Sequence, residues 1–178
     1  MLSETGGESA EIGNESRGQG LQLFQGVRCG KLAVAFPYGW ATQIVEQYEL
    51  SPVPKAPAWL AGAANIDGRI VPVIDLAHFR ARTSMADPAT ISAVNATKRR
   101  LLIGGLEGGN GDLRLAILFD GLPEQASREI NALERNPADH LRDDALTDGF
   151  ALSKRRERYA VVNVERLCAQ LIGELSTL

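Results

Sequence analysis

The stretch 52–76, PVPKAPAWLAGAANIDGRIVPVIDL, constrains the fold more than any other part of this chain. Its first three prolines fix φ and bias the residues before them toward extended conformations, so the stretch should begin as a stiff arm. Trp59 can belong to one helical turn at most, because Pro57 suits a helix start and Gly62 suits a helix stop. The stretch contains no residues arranged for catalysis. The stretch therefore predicts a rigid surface of defined shape and not an active site.

A hairpin is predicted next. Asp67-Gly68 lies between two apolar runs and suits a type I′ turn, in which both central residues have positive φ. The returning strand 69–76 is apolar at most positions, so we expect it to be covered on both faces. Pro72 cannot donate a ladder hydrogen bond, which places it at a sheet edge or a bulge. This strand should therefore lie near a seam between two β units.

The run 57–76 resembles the signature of the CheW-like family, adaptor proteins that couple chemoreceptors to the histidine kinase CheA. Weaker similarity extends to the opening strands at 21–45, to a strand that ends in Asp120, and to a closing strand and helix at 159–171. The resemblance covers about residues 20–175. The matching signature positions are Pro57, Trp59, Gly62, Asn65, Gly68, Pro72, Asp75 and Leu76.

The resemblance implies a mainly β fold: two small SH3-like five-stranded β-barrels that share an apolar seam, followed by a C-terminal helix. It also implies a receptor-facing groove near the hairpin at 65–68 and a kinase-facing edge on the second barrel. The expected partner-binding residues are Trp59, Gly62, Asn65, Ile66, Asp67 and Gly68, and the expected structural residues are Pro57, Pro72, Asp75 and Asp120.

Two of these positions have competing interpretations. Trp59 is flanked by apolar residues, so core packing competes with direct partner contact. Asp67 stands where the family usually carries Arg. Aspartate before glycine is favourable in a type I′ turn without any functional reason, but a reversed surface charge would change partner choice more than stability.

Composition excludes several classes of function. The net charge of −3 over 178 residues argues against nucleic acid as the main partner. Basic clusters at 98–100 and 154–158 lack interleaved aromatic residues for stacking bases, so a nucleic-acid-binding barrel is the alternative from a different class. No apolar run is long enough to span a membrane and no signal peptide precedes the strands, so we expect a cytoplasmic protein without direct membrane insertion.

Candidate chemistry is sparse. Cys29 and Cys168 are far apart, which argues against a disulfide or a zinc site. His78 and His140 have no second ligand at a suitable spacing, and the glycines at 108–111 lack the Lys and Ser/Thr of a phosphate-binding loop. Asp75 is expected to accept backbone N–H groups at the following turn. The sequence therefore predicts no enzyme, no metal and no cofactor.

The remaining elements follow from local patterns. Residues 1–20 are predicted to be a flexible tail, and residues 21–178 one CheW-like domain of two barrel subdomains. Hairpins are expected at 101–119 and 150–162, and polar connections at 78–99 and 121–148. Asn163 is a plausible N-cap for an amphipathic closing helix over about 164–175.

These features together predict a non-enzymatic adaptor. It would link a methyl-accepting chemoreceptor-type sensor to a CheA-type histidine kinase in a bacterial two-component chemotaxis pathway. An adaptor of a pilus-motility or biofilm pathway is the alternative within the same class.

Overall fold

The computed structural model describes residues 20–83, 99–106, 113–129 and 146–176. Within these ranges the chain is mainly β, with two helices. The elements are β1 (Leu21–Cys29), β2 (Leu32–Pro37), β3 (Ala41–Val45), β4 (Leu50–Ser51), β5 (Leu60–Ile66), β6 (Arg69–Ile74), α1 (Leu76–Thr83), β7 (Arg99–Leu106), β8 (Leu113–Glu129), β9 (Thr147–Ser153), β10 (Arg158–Val162) and α2 (Val164–Leu175).

Five strands close into a ring that we call barrel one. Its pairings run from β1 to β2, β10, β9 and β8, and β8 returns to β1. Only the second half of β8, from Asp120 to Glu129, pairs with β1. A bulge between the pairs Gly26–Glu124 and Arg28–Asp120 accommodates Gly121 and Pro123.

The other half of β8 belongs to a second curved sheet, which we call barrel two. Its order is β3, β7, β8, β6 and β5, extended by the two-residue strand β4. The pairs Leu106–Leu113 through Arg99–Asp120 join β7 to β8. Within the described residues, β3 and β4 do not pair with each other, so barrel two is open on that side. Strand β8 therefore serves both barrels.

Buried apolar side chains form three clusters, because successive residues of a strand point to opposite faces. In β8, Ala116 and Leu118 point into barrel two, whereas Ile117 and Phe119 point into a seam between the barrels. Both faces of β8 are buried from Leu115 to Phe119, which explains why this part of its sequence does not alternate between apolar and polar residues. The seam also receives Trp40, Trp59, Phe36, Phe79, Cys29, Cys168, Leu167 and Leu171.

The predicted pair of barrels with a shared seam is confirmed, and so is the hairpin at residues 66–69. Some local predictions were wrong. Gly62 does not stop a helix but lies at a bulge in β5. Ile70 is exposed, so β6 is covered on both faces only from Val71 onward. The edge position predicted for Pro72 agrees with the structure, because Pro72 pairs with Ala63 of β5 just before β6 begins to pair with β8 at Val73.

Two polar connections contain regular structure that the sequence did not predict. Helix α1 occupies Leu76–Thr83, and β8 continues beyond Gly121 to Glu129. Residues 1–19 of the predicted tail, the glycine-rich segment 107–112 and His140 all lie outside the described residues.

Helix α2 closes the fold against the seam. The Asn163 side chain caps it by accepting a hydrogen bond from the backbone N–H of Arg166 at 3.0 Å. Leu167, Cys168 and Leu171 are buried, whereas Ile172 is partly exposed, so the seam covers the apolar face of the predicted amphipathic helix as far as Leu171. No helix in the described ranges is long and apolar enough to cross a membrane.

Candidate partner-binding surface

The hairpin between β5 and β6 turns tightly. Asp67 and Gly68 are its two turn residues, with φ of 52° and 80°, as a type I′ turn requires. The flanking pair is Ile66–Arg69, and the next pair is Asn65–Ile70. Asp67 and Gly68 are both exposed at the tip. A partner could therefore reach the turn without displacing any of the described residues.

The six residues expected to bind a partner separate into two groups. Asn65, Asp67 and Gly68 are exposed, whereas Trp59 and Ile66 are only 1% and 4% exposed. Trp59 packs edge-on against Phe79 in the seam, with ring centroids 5.3 Å apart, and Ile66 points into barrel two. Because both side chains are buried, neither can contact a partner directly in this conformation.

Gly62 is also buried, and its role is steric. A Cβ atom at this position would lie 2.6 Å from the carbonyl oxygen of Ser51 and 2.9 Å from Cγ of Leu50. Its φ of +152° also disfavours other residues. Gly62 thus allows β4 to approach β5 and fixes the chain that enters the hairpin.

A groove of about 820 Å³ runs beside the hairpin. One wall is the segment 46–49 between β3 and β4, and the floor is the outer face of β5 and β6. The family resemblance implied a groove near this hairpin, but the sequence did not identify its 46–49 wall. Ile70 is a signal for the groove because it is an apolar strand residue that is 73% exposed. Its lining residues are Glu46, Gln47, Tyr48, Glu49, Ser51, Ala63, Asn65 and Ile70.

Two contacts hold the 46–49 wall in place. The Nε of Arg100 donates to the Glu46 carboxylate at 2.7 Å, and the hydroxyl of Tyr48 donates to the carbonyl of Arg99 at 3.4 Å. Burial raises the pKa of Tyr48, so its hydroxyl keeps its proton near neutral pH. Glu49, by contrast, has no ion-pair partner among the described residues and remains exposed to solvent.

A network of charged groups joins the two barrels behind this surface. Arg99 bridges two carboxylates, with Nη1 3.1 Å from Asp75 and Nε 3.0 Å from Asp120. Asp120 also accepts the N–H of Gly30 in barrel one at 2.8 Å, and Asp75 accepts the N–H of His78 at the start of α1 at 3.1 Å. These contacts fix the ends of β6 and β7 relative to barrel one.

The network changes the chemistry of its neighbours. Partial burial would lower the pKa of Arg99, but Asp120 and Asp75 raise it above the ordinary value, so the guanidinium stays charged. Burial, and then the nearby Asp75 and Asp120, raise the pKa of the Cys29 thiol. A protonated buried thiol is a poor nucleophile. Among the residues that the structure describes, no group of three or more His, Cys, Asp or Glu could hold a metal ion.

Several arginines of the basic clusters already have partners within the protein. Arg100 binds Glu46 and the carbonyl of Gly121, and Arg158 lies 4.3 Å above the ring of Phe150. Arg155 is highly exposed and lies 3.8 Å from Glu124. Lys98 lies outside the described residues. Arg100, Arg155 and Arg158 therefore each contact a carboxylate, a carbonyl or an aromatic ring of the protein itself.

Comparisons with known proteins agree with this architecture. The family model of the CheW-like domain matches residues 24–171. The crystal structure of the scaffolding protein TtCheW from Thermoanaerobacter tengcongensis is similar, with a TM-score of 0.61 and 17% sequence identity. The match covers 80% of this chain and 84% of that one, and it shows a shared fold. A search of curated proteins found no match.

Proposed function

The chain belongs to the CheW-like family, whose members are chemotaxis scaffolds and adaptors, and we propose that it couples a methyl-accepting chemoreceptor-type sensor to a CheA-type histidine kinase. The groove beside the exposed Asp67-Gly68 turn is the observation that carries this proposal, because residues of the family-like signature form both the turn and part of the groove. An adaptor needs such a surface and no catalytic groups.

The groove and the turn are the proposed receptor face. Asn65, Asp67 and Gly68 make direct contact, while Trp59, Gly62 and Ile66 hold the hairpin in shape from beneath. A standard interface buries about 800 Å² on each partner, so contact must extend beyond the groove. The kinase is proposed to bind the edge of barrel two at β3, which pairs only with β7 among the described residues and contributes no residue to the groove lining. Both contacts would form in the cytoplasm.

An affinity pull-down tests the proposal. The tagged chain should recover a CheA-type kinase or a methyl-accepting receptor, and Ile70→Ser should reduce receptor recovery because it removes apolar contact from the groove. Leu122→Ser is a matched control, since Leu122 is 74% exposed but lies on the β8 segment of barrel one. Recovery of nucleic acid alone, with affinity that falls steeply as salt rises, would contradict the adaptor function.

A second set of variants tests the turn. Asp67→Asn should preserve the turn, because Asn and Asp both tolerate positive φ, whereas Asp67→Arg reverses the charge. We expect Asp67→Arg to leave the thermal midpoint nearly unchanged and to shift binding toward or away from a given receptor or kinase. Equal binding by wild type and both variants would mean that Asp67 serves turn geometry only.

A further inference from the structure

We infer that the groove of barrel two binds a basic, amphipathic protein segment that presents Lys or Arg beside an aliphatic side chain. This inference rests on the proposed function, because it specifies the chemistry of a partner at the same surface. It combines an exposed apolar floor, uncompensated carboxylates at the rim and a wall that is already fixed.

The floor of the groove is apolar and exposed. Residues 63 and 65 of β5 share a face with residues 70 and 72 of β6, since the pairs Ala63–Pro72 and Asn65–Ile70 are two positions apart. Ile70 is the largest apolar side chain of this face and is 73% exposed. An aliphatic partner residue that covers Ile70 would remove apolar area from water on both sides.

The rim of the groove is acidic. Glu46 and Glu49 lie on the wall, and Asp67 lies at the adjacent turn. Neither Glu49 nor Asp67 has an ion pair among the described residues, and Glu46 shares its charge only with Arg100. Arg69 precedes Ile70 by one residue, so its side chain leaves β6 on the opposite face. A cation entering the groove would therefore meet carboxylates, whereas an anion would be repelled.

The groove also has a fixed shape. The contact of Arg100 with Glu46 and that of Tyr48 with the carbonyl of Arg99 hold the 46–49 wall, and Gly62 lets β4 lie close to β5 beside the floor. A preformed site loses less entropy when it binds a segment than a site that must first become ordered. Together, charge and shape select a Lys- or Arg-containing aliphatic segment over a nucleic acid or an acidic segment.

Three short peptides of equal length test the inference with the isotope-labelled full chain. They share a Gly/Ser background and differ at the centre, which is Lys-Leu-Lys, Glu-Leu-Glu or Lys-Ser-Lys. Titration should show that Lys-Leu-Lys binds most tightly, that it shifts the amide resonances of residues 46–51 and 63–70, and that its binding weakens as salt rises. Equal or tighter binding of Glu-Leu-Glu, shifts elsewhere on the chain, or no binding by any peptide would overturn the inference.

Variants assign the effect to particular groups. Glu49→Gln and Asp67→Asn should each weaken Lys-Leu-Lys binding by about two- to fivefold, the range expected for an exposed ion pair. Glu129→Gln is the matched control, since Glu129 is an exposed carboxylate of barrel one. Glu49→Lys should shift the preference toward Glu-Leu-Glu. An equal effect of Glu129→Gln would mean that only the net charge matters, which also overturns the inference.

The outcomes separate this inference from the proposed function. A chain that recovers receptor or kinase but ignores the Lys-Leu-Lys peptide keeps the adaptor function and loses the basic partner segment. A chain that binds the peptide in the groove but recovers neither protein keeps the inference about ligand chemistry and loses the adaptor function. Groove resonances that shift on concentrating the chain without peptide would identify a second copy as the occupant and overturn the inference.

Discussion

Barrel one and barrel two are built from similar strands but differ in how completely they close. Barrel one is a continuous ring of five pairings, whereas the described residues of barrel two leave it open between β3 and β4. Their interiors differ as well. Phe24, Tyr159 and Val161 fill barrel one together with alanines, while barrel two contains larger aliphatic side chains such as Val73, Leu101 and Ile103.

This difference suggests a division of roles. A closed ring has no free edge for another chain to extend, so barrel one is suited to support the fold. The open side of barrel two leaves edges and a groove available, and the seam and the Arg99 network tie it to the closed barrel. An adaptor built in this way can hold its binding surface in a fixed position relative to the closed barrel.

The largest expected effect comes from emptying the seam. Trp59→Ala removes a buried ring that packs against Phe79 and should cost about 3–5 kcal/mol of unfolding free energy. Because both barrels share the seam, chemical denaturation followed by circular dichroism should still show one transition. Trp59→Phe should lose less. Two separate transitions would show that the barrels are independent, and unchanged stability with lost binding would make Trp59 an exposed anchor.

Breaking the link between the barrels should have the next largest effect. Arg99→Met leaves the carboxylates of Asp75 and Asp120 close together without their cation, and it should cost about 2–3 kcal/mol, below the range for fully buried pairs. Arg28→Met is the control, because the Arg28–Glu157 pair is exposed, and it should have a much smaller effect. Equal losses of unfolding free energy in the two variants would show that the Arg99 network stabilises the protein no more than an exposed ion pair does.

Alanine substitutions at two glycines compare how tightly the seam and barrel one are packed. A Cβ on Gly104 would lie 2.2 Å from the Trp40 ring, so Gly104→Ala should cost about 1–3 kcal/mol by overpacking the seam. A Cβ on Gly26 would lie 3.0 Å from the Tyr159 ring in barrel one. Gly26→Ala should change stability by less than about 1 kcal/mol, because reduced unfolded-state entropy offsets the tighter contact. Thermal denaturation that ranked them in reverse would contradict this comparison.

The last predicted effect is a pH dependence in barrel one that appears only in alkaline solution. Burial, helped by Glu124 and by the hydrogen bond to Glu157, raises the pKa of Tyr159 to about 12. The neutral phenol is favoured in the folded state, so its contribution to stability is complete below about pH 10 and is lost as pH rises toward 12. Tyr159→Phe should flatten the decline in stability over this interval. Parallel profiles for wild type and variant would contradict the assignment.

The sequence predicted the elements whose signals are local. The Asp67-Gly68 turn, the Asn163 cap and the hairpin that joins β9 to β10 each depend on a few neighbouring residues, and all are present. The continuation of β8 was missed because Gly121 and Pro123 normally end a strand, and here a bulge accommodates both. Helix α1 was missed because its buried side chains, Leu76 and Phe79, are too few to show a helical period.

The candidate surface could be predicted only in part, for a similar reason. The exposed turn follows from Asp67-Gly68, but the groove needs the 46–49 segment to lie against β5 and β6, and no local pattern encodes that approach. The contacts of Arg99 with Asp75 and Asp120 join residues from the end of β6, the start of β7 and the middle of β8. Charge alone could not identify which of many carboxylates would lie next to this arginine.

The position of β8 has a consequence for how the protein folds. Every strand of barrel two lies between β2 and the second half of β8 in the sequence, so barrel one is interrupted by its neighbour. Gly30 and Asp120 are ninety residues apart in the chain, yet they are joined by a hydrogen bond. Contacts of such long range slow the folding of small domains. During synthesis β1 and β2 can pair with each other, but their other partners in barrel one, β8 and β10, are made only after the strands of barrel two.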